Sequence, residues 1–200
     1  MWFENQVYVI SDSVDTLIKA INDGAEIIQF RDKSRNLKSI QKKAQELISY
    51  KTKKHFIFIL NDYPELAAEI GADGVHIGQD TSSVKARKIV GSNLILGKST
   101  HSLEQGLAAQ SEGVNYISVG PVFPTPTKPG QPAIGLKYVR FAAANINIPF
   151  VVIGGIDLTN INEVIKAGGK WIGVVRAADQ VPQLLKILER FAGEGNETNH

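Results

Sequence analysis

The amino-acid sequence predicts a single α/β domain, a (β/α)8 TIM barrel, and three observations carry that expectation. Short runs rich in β-branched and aromatic residues alternate with amphipathic stretches from one end of the chain to the other, as parallel strands joined by crossover helices require. Eight such strand-and-helix units can be counted. A glycine-led segment recurs before alternate strands: Gly24-Ala25-Glu26-Ile27, Gly71-Ala72-Asp73-Gly74, Gly113-Val114-Asn115-Tyr116 and Gly168-Gly169-Lys170-Trp171. Each glycine stands where a helix ends, the position that favours a residue without a Cβ. The spacings of 47, 42 and 55 residues hold two βα units apiece, so four quarters close a barrel. With 200 residues the chain sits at the short end of the range for this architecture. An open doubly wound sheet of eight strands is the alternative.

In chain order, the first strand is expected over residues 7–10, with a helix at 15–22 behind it. The second strand, 27–30, runs into a charged turn and a helix at 37–50. The third, 56–60, is followed by a helix at 64–70, and the fourth, 74–77, by one at 83–90. The fifth strand is expected over 94–96 with a helix at 103–112, and the sixth over 116–119. After it comes a long connection, 121–135, rich in Pro, Thr and Gly, whose length and composition suggest function, then a helix at 136–144. The last units pair strand 150–153 with helix 161–167 and strand 171–175 with helix 182–191. Residues 1–192 form the barrel in this reading, and the polar, aperiodic stretch 193–200 a flexible tail.

Composition narrows the function classes. The 22 basic and 20 acidic residues leave a net charge of +2, too small an excess to make nucleic acid or an anionic membrane the main partner; small anionic molecules fit better. The chain has no cysteine, which excludes disulfides, thiolate zinc sites and a Cys nucleophile. Its start has no basic n-region, and no apolar run reaches the roughly 18 residues of a membrane span, so a cytoplasmic protein is expected.

Side chains just past the C-terminal ends of barrel strands share one rim, and that rim carries the chemistry. Strand two ends in Gln29, Arg31 and Lys33, which share a side if the extended conformation persists. Strand three ends in Asn61-Asp62, strand four in His76-Ile77-Gly78-Gln79-Asp80, and strand five in Gly97-Lys98-Ser99-Thr100-His101. Beyond strand six lies Gly120-Pro121-Val122-Phe123-Pro124-Thr125-Pro126-Thr127-Lys128; strand seven runs into Gly154-Gly155 and strand eight into Val175-Arg176. Guanidinium, ammonium, hydroxyl and glycine backbone groups at successive strand ends match phosphate, and Asp62 offers the hard oxygen that Mg²⁺ prefers. Taken one at a time, each signal has a plainer explanation. Arg31 and Lys33 could be a solvated strand end, Asn61-Asp62 turn and N-cap chemistry, His76 a satisfied structural histidine and His101 a helix-start residue. Their coincidence at one rim favours a site.

These residues resemble the thiamine phosphate synthase family, with the related TenI-type thiazole tautomerases as cousins. The resemblance spans nearly the whole chain. It rests on Gln29-x-Arg31-x-Lys33, Asn61-Asp62, Gly71-Ala72-Asp73-Gly74-Val75-His76-Ile77-Gly78-Gln79, Gly97-x-Ser99-x-His101, Gly120-Pro121-Val122-Phe123-x-Thr125-x-Thr127-Lys128 and Ile153-Gly154-Gly155-Ile156. It implies a transferase that joins an aminopyrimidine methyl diphosphate to a thiazole phosphate, giving thiamine phosphate and pyrophosphate by a dissociative, Mg²⁺-assisted substitution. It further implies that Gln29 contacts the pyrimidine while Arg31, Lys33, Asn61, Ser99 and Lys128 hold its diphosphate. Arg31, Lys33 and Lys128 would supply the catalytic charge, and Asp62 would ligate Mg²⁺. Thr125, Thr127, Gly155, Val175 and Arg176 would hold the thiazole phosphate.

Two positions depart from the family pattern. Where the family reads Gly-Gln-x-Asp after strand four, this chain has Gly78-Gln79-Asp80-Thr81, so the second metal carboxylate would have to be Asp80, one residue early. Arg176 stands where the family often has Ser. The alternatives are a TenI-type tautomerase, disfavoured by Pro121 at the position of its usual His and by the intact Thr125-x-Thr127-Lys128, and a non-catalytic binder of thiamine intermediates. Partners are expected to be small phosphorylated substrates, with a homodimer left open.

Overall fold

The structure, a computed structural model, describes residues 5–127 and 130–197. Among these residues eight strands alternate with eight α-helices: β1 (Gln6–Ser11), α1 (Val14–Asn22), β2 (Ile27–Phe30), α2 (Leu37–Tyr50), β3 (Ile57–Asn61), α3 (Pro64–Ile70), β4 (Gly74–Ile77) and α4 (Ser83–Val90). There follow β5 (Ile95–Thr100), α5 (Leu103–Ser111), β6 (Tyr116–Val119), α6 (Gly135–Asn145), β7 (Phe150–Ile153), α7 (Ile161–Lys166), β8 (Trp171–Val174), a 3-10 turn (Ala178–Gln180) and α8 (Val181–Glu197). Each strand lies parallel to its sequence neighbours, and β8 pairs back onto β1 through Gln6↔Trp171 and Val9↔Val174. That last pairing closes the sheet and excludes the open doubly wound alternative.

The period of two along each strand divides the apolar residues between two faces. Val7, Val9, Ile28, Phe30, Phe58 and Leu60 turn outward into a core shared with helix residues such as Leu17, Ile40 and Leu47. Tyr8, Ile27, Ile59, Tyr116, Val151 and Trp171 turn inward and fill the barrel axis. Room for Tyr116 comes from Gly97, where an added Cβ would lie 2.1 Å from the phenol ring.

The fifth strand runs to Thr100, four residues past its expected end. Its polar residues do not stop it because each has a partner: Lys98 Nζ donates to Ser83 Oγ at 2.9 Å and lies 3.1 Å from Glu112 Oε2, and Thr100 Oγ1 donates to the Ser118 carbonyl at 2.8 Å. Partnering through the outer helices and the neighbouring strand lets polar side chains sit in a buried strand. The long connection after β6 is pinned at its base, where Ile134 N–H donates to Pro121 O at 2.8 Å and Gly135 N–H to Val122 O at 3.1 Å. At the other end of the chain, α8 extends to Glu197, so helical backbone covers part of the stretch expected to be a tail. No described helix is long and apolar enough to cross a membrane.

Candidate active site

Two cavities open at the C-terminal ends of the strands, one of about 280 Å³ and one of about 250 Å³. The larger is walled mainly by β1 to β5, with Ser118 of β6 and Val151 and Ile153 of β7 closing it. It takes in Gln29 and Arg31 from β2 and its end, Asn61 and Asp62 after β3, Gly78 and Asp80 after β4, and Ser99 from β5. The smaller lies over β6 to β8 and takes in Thr125, Thr127, Gly155, Val175 and Arg176. His101, Ser118, Thr127, Ile153 and Val175 line both, so the two chambers share a wall.

Register explains the gathering in the larger cavity. Gln29 pairs with Ile10 on one side and Ile59 on the other, Asn61 with His76, and Ser99 with Ser118, so inward-facing polar groups of adjacent strands stand at similar heights. Arg31 continues the inward row of Ile27 and Gln29. Its guanidinium is half-buried, and burial lowers its pKa while Asp62 pushes it back up. Asp62 is the counterpart: burial raises its pKa, Asp80 raises it further, and Arg31 and the Asn61 amide, which donates to Asp62 Oδ2 at 2.7 Å, oppose that rise. Asp62 and Tyr63 both adopt left-handed backbone, with φ of 60° and 54°. Non-glycine residues take that conformation at a cost on the order of 1–3 kcal/mol each, sustained where the surroundings enforce it. Here Asp62 N–H is tied to His76 O at 2.8 Å. Tyr63, not Asp62, is the N-cap of α3, and it makes no side-chain cap bond. The capping explanation of Asn61-Asp62 is therefore excluded.

Lys33 is not brought into either cavity. The extended conformation does not persist beyond β2: the Asp32 carboxylate accepts from Ser34 N–H at 2.8 Å, forming a turn that leaves Lys33 exposed. A second contact, from Lys43 Nζ at 2.9 Å, anchors the same carboxylate, and the two together hold its pKa down to about 2. Lys128 lies outside the described residues. Asp80 does line the larger cavity, whereas Thr81 does not, and its carboxylate folds over Gly78, where a Cβ would stand 2.6 Å from Asp80 Oδ1.

The smaller cavity is framed by main chain. Val122 N–H donates to Ile153 O at 2.9 Å and Phe123 N–H to Gly154 O at 3.0 Å, which joins the loop after β6 to the loop after β7. The approach is close enough that a Cβ on Gly155 would meet Pro124 O at 2.8 Å, and the residue's φ of 66° also favours glycine. Thr127 N–H and Thr125 Oγ1 are 3.3 Å apart, and so are the two threonine hydroxyls, so both present oxygen to one space. Asn160 Nδ2 donates to Gly155 O at 2.8 Å, fixing that peptide. Asp157 and Gln180 also line this cavity and went unread in the sequence, because neither sits at a strand end.

The barrel axis below the larger cavity holds residues that periodicity could have revealed. Gln29 Nε2 lies 2.9 Å from Tyr8 Oη, Tyr8 Oη 2.9 Å from Tyr116 Oη, Tyr116 Oη 2.9 Å from His76 Nδ1, and His76 Nε2 2.9 Å from Ser99 Oγ. His76 is thus a hydrogen-bonded buried histidine, as its plainer explanation has it. The signal for the tyrosines was a phenol in an otherwise apolar strand, a group that needs a partner once buried. His101 is not the helix-start residue; Ser102 caps α5, and His101 Nδ1 lies against the Gly120 carbonyl.

Comparison with known proteins follows this geometry. A curated thiamine-phosphate synthase of Thermus thermophilus is 44% identical over 172 residues, which cover 85% of this chain and 82% of that protein. One from Shouchella clausii is 40% identical over 166 residues, covering 82% and 79%. The solved structure of a thiamine phosphate pyrophosphorylase from Pyrococcus furiosus superimposes with a TM-score of 0.84 at 31% identity, covering 94% of this chain and 96% of that one. Residues 5–178 match the TMP-TENI family, described as thiamine monophosphate synthase. The chain belongs to the thiamine monophosphate synthase family.

Proposed function

We propose that the chain is a transferase that condenses 4-amino-2-methyl-5-(diphosphooxymethyl)pyrimidine with a thiazole phosphate, giving thiamine phosphate and pyrophosphate. One observation carries this reading: a chamber with a half-buried cation and two carboxylates shares a wall with a chamber of hydroxyls, glycine backbone and Arg176. Coupling two phosphorylated molecules needs two such subsites with their reacting ends at the boundary.

The pyrimidine diphosphate occupies the larger chamber, its ring against Gln29 and its phosphates against Arg31, Asn61 and Ser99. The thiazole phosphate occupies the smaller, held by Thr125, Thr127, the Gly155 backbone, Val175 and Arg176. Bond breaking between the methylene carbon and the diphosphate oxygen leaves a pyrimidine-stabilised cation, which the thiazole nitrogen captures; no protein nucleophile is needed. Arg31 stabilises charge building on the departing pyrophosphate, and its partial removal from water strengthens that interaction. Lys128 belongs to the same proposal; Lys33 enters it only if the turn at Asp32 opens.

The carboxylates fit Mg²⁺. Asp62 and Asp80 raise one burden of negative charge in one chamber, and Gly78 leaves space for the Asp80 carboxylate. Two carboxylates are enough for Mg²⁺, an ion that keeps several waters and shares phosphate oxygens. When bound, Mg²⁺ would neutralise charge on the diphosphate. A cytoplasmic location belongs to the same reading, and either a monomer or a homodimer satisfies it.

The test is pyrophosphate release by the purified protein, with each substrate omitted in turn and with and without Mg²⁺. Release that requires both substrates and Mg²⁺ is the expected result. Isomerisation of a thiazole carboxylate phosphate without the pyrimidine would replace the reading with a tautomerase, and binding without turnover would replace it with a binder.

A further inference from the structure

Beneath the larger cavity the barrel axis carries an unbroken line of polar contacts, from Gln29 through Tyr8, Tyr116 and His76 to Ser99, every step 2.9 Å. Tyr8, Gln29 and His76 are almost wholly buried and Tyr116 completely so. A buried hydroxyl proton must find an acceptor, so the direction of each bond follows from its neighbours. Burial pushes the phenols of Tyr8 and Tyr116 above their ordinary range, so both keep their protons.

Gln29 Nε2 donates to Tyr8 Oη. The Tyr8 hydroxyl then gives its own proton to Tyr116, whose hydroxyl gives its proton to His76 Nδ1. A histidine that accepts at Nδ1 carries its proton at Nε2 when neutral, and Nε2–H donates to Ser99 Oγ. Ser99 is thereby left with its O–H to give to the cavity. The reverse order is self-consistent only with the Gln29 amide rotated by half a turn. It would aim the Ser99 proton at His76 and present an oxygen lone pair where an anionic phosphate binds.

We infer that Tyr8, Tyr116 and His76 are positioning residues that form a one-way hydrogen-bond chain, holding the Gln29 amide in one orientation at the pyrimidine and turning the Ser99 hydroxyl proton toward the diphosphate. This rests on the substrate assignment above. The N–H side of the Gln29 amide faces both phenols, Tyr8 and Tyr116, so the amide meets the ring with its carbonyl oxygen, an acceptor complementary to the exocyclic amino group of an aminopyrimidine. At the far end Ser99 grips the leaving group. Recognition of the ring and hold on the diphosphate are then coupled through three side chains, of which Tyr8 and His76 form part of the cavity floor.

Two measurements test the chain. The ¹⁵N spectrum of histidine-labelled protein, with His76 assigned by difference from His76→Gln, reads the tautomer without any need for activity. The Nε2–H form is expected, giving way to a mixture in Tyr116→Phe; a Nδ1–H form in the native protein would overturn the chain. For the coupling, Gln29→Ala and Ser99→Ala are made singly and together, and kcat/KM for the pyrimidine substrate is compared. A departure from additivity of about fivefold or more is expected in the native background, and additive effects to within about twofold in the Tyr116→Phe background. Equal additivity in both backgrounds would overturn the proposal. If Tyr116→Phe does not fold, Tyr8→Phe breaks the same line one step earlier. If the native protein turns over no substrate, the function fails while the histidine spectrum still decides the chain.

Discussion

The two chambers at the rim are built from different materials. The larger one is lined chiefly by side chains on or just beyond strands, among them Gln29, Arg31, Asn61, Asp62 and Ser99. The smaller one is framed by loop main chain and hydroxyls, with glycines at 154 and 155 that let two loops meet. Charge that must act on a departing group gains from rigid placement, because preorganised groups need not reorganise as the bond breaks. A phosphate that is held and not transferred can be gripped by hydroxyls and peptide groups on loops.

This division predicts effects of different size and kind. Metal removal should act only through the charged chamber, and hardest. With chelator present, pyrophosphate release is expected to fall to background and to return with added Mg²⁺; full activity in chelator would remove Asp62 and Asp80 from the chemistry. Arg31→Ala should come next, lowering turnover at saturating substrate by about 10²–10³, the loss typical of one preorganised charge-stabilising donor. An effect confined to KM would mean that Arg31 binds substrate without helping the bond to break.

The smaller chamber should answer in KM. Arg176→Ala is expected to raise KM for the thiazole phosphate about tenfold with turnover nearly unchanged, as loss of uniform binding does. Titration of initial rate against thiazole phosphate separates the two, and a fall in turnover would erase the division between chambers.

The smallest effect should mark the outer edge of the charged chamber, at Asp32. Its pKa is held down to about 2, first by the Ser34 backbone N–H and then by Lys43. A depressed carboxyl stabilises the fold above its unfolded-state value, and that contribution is lost as pH falls from about 4 toward about 2. Asp32→Asn should therefore lower thermal stability near neutral pH by about 1–3 °C, since the amide oxygen can still accept from Ser34 N–H and only the ion pair with the partly exposed Lys43 is lost, worth about 0.3–1 kcal/mol. Melting curves of the two proteins should converge on acidification, with pyrophosphate release unchanged at pH 7.

How much was legible follows the same physical lines. The strands of the barrel stand out because their apolar runs are buried on both faces, and β2, β4, β6 and β7 have the boundaries expected from composition alone. The end of β5 was hidden, since Lys98 and Thr100 read as a rim until Ser83, Glu112 and the Ser118 carbonyl are seen to satisfy them. Of the expected site residues, Gln29, Arg31, Asn61, Asp62, Asp80 and Ser99 converge in one chamber and Thr125, Thr127, Gly155, Val175 and Arg176 in the other. Lys33 does not, because extrapolating period two past a strand end ignored the turn that Asp32 makes with Ser34.

Local order along the chain was enough to determine the alternation of elements, the rim at the strand ends and the family to which the motifs point. Those properties depend on residue spacing within one unit, which a sequence displays directly. Only the closed barrel decided that Tyr8, Gln29, His76, Ser99 and Tyr116 would share an axis, because they come from five strands whose heights are set by register around the whole sheet. The direction of the bonds among them is a further step removed. It depends on every buried proton finding an acceptor at once, a condition that exists only after the chain has folded.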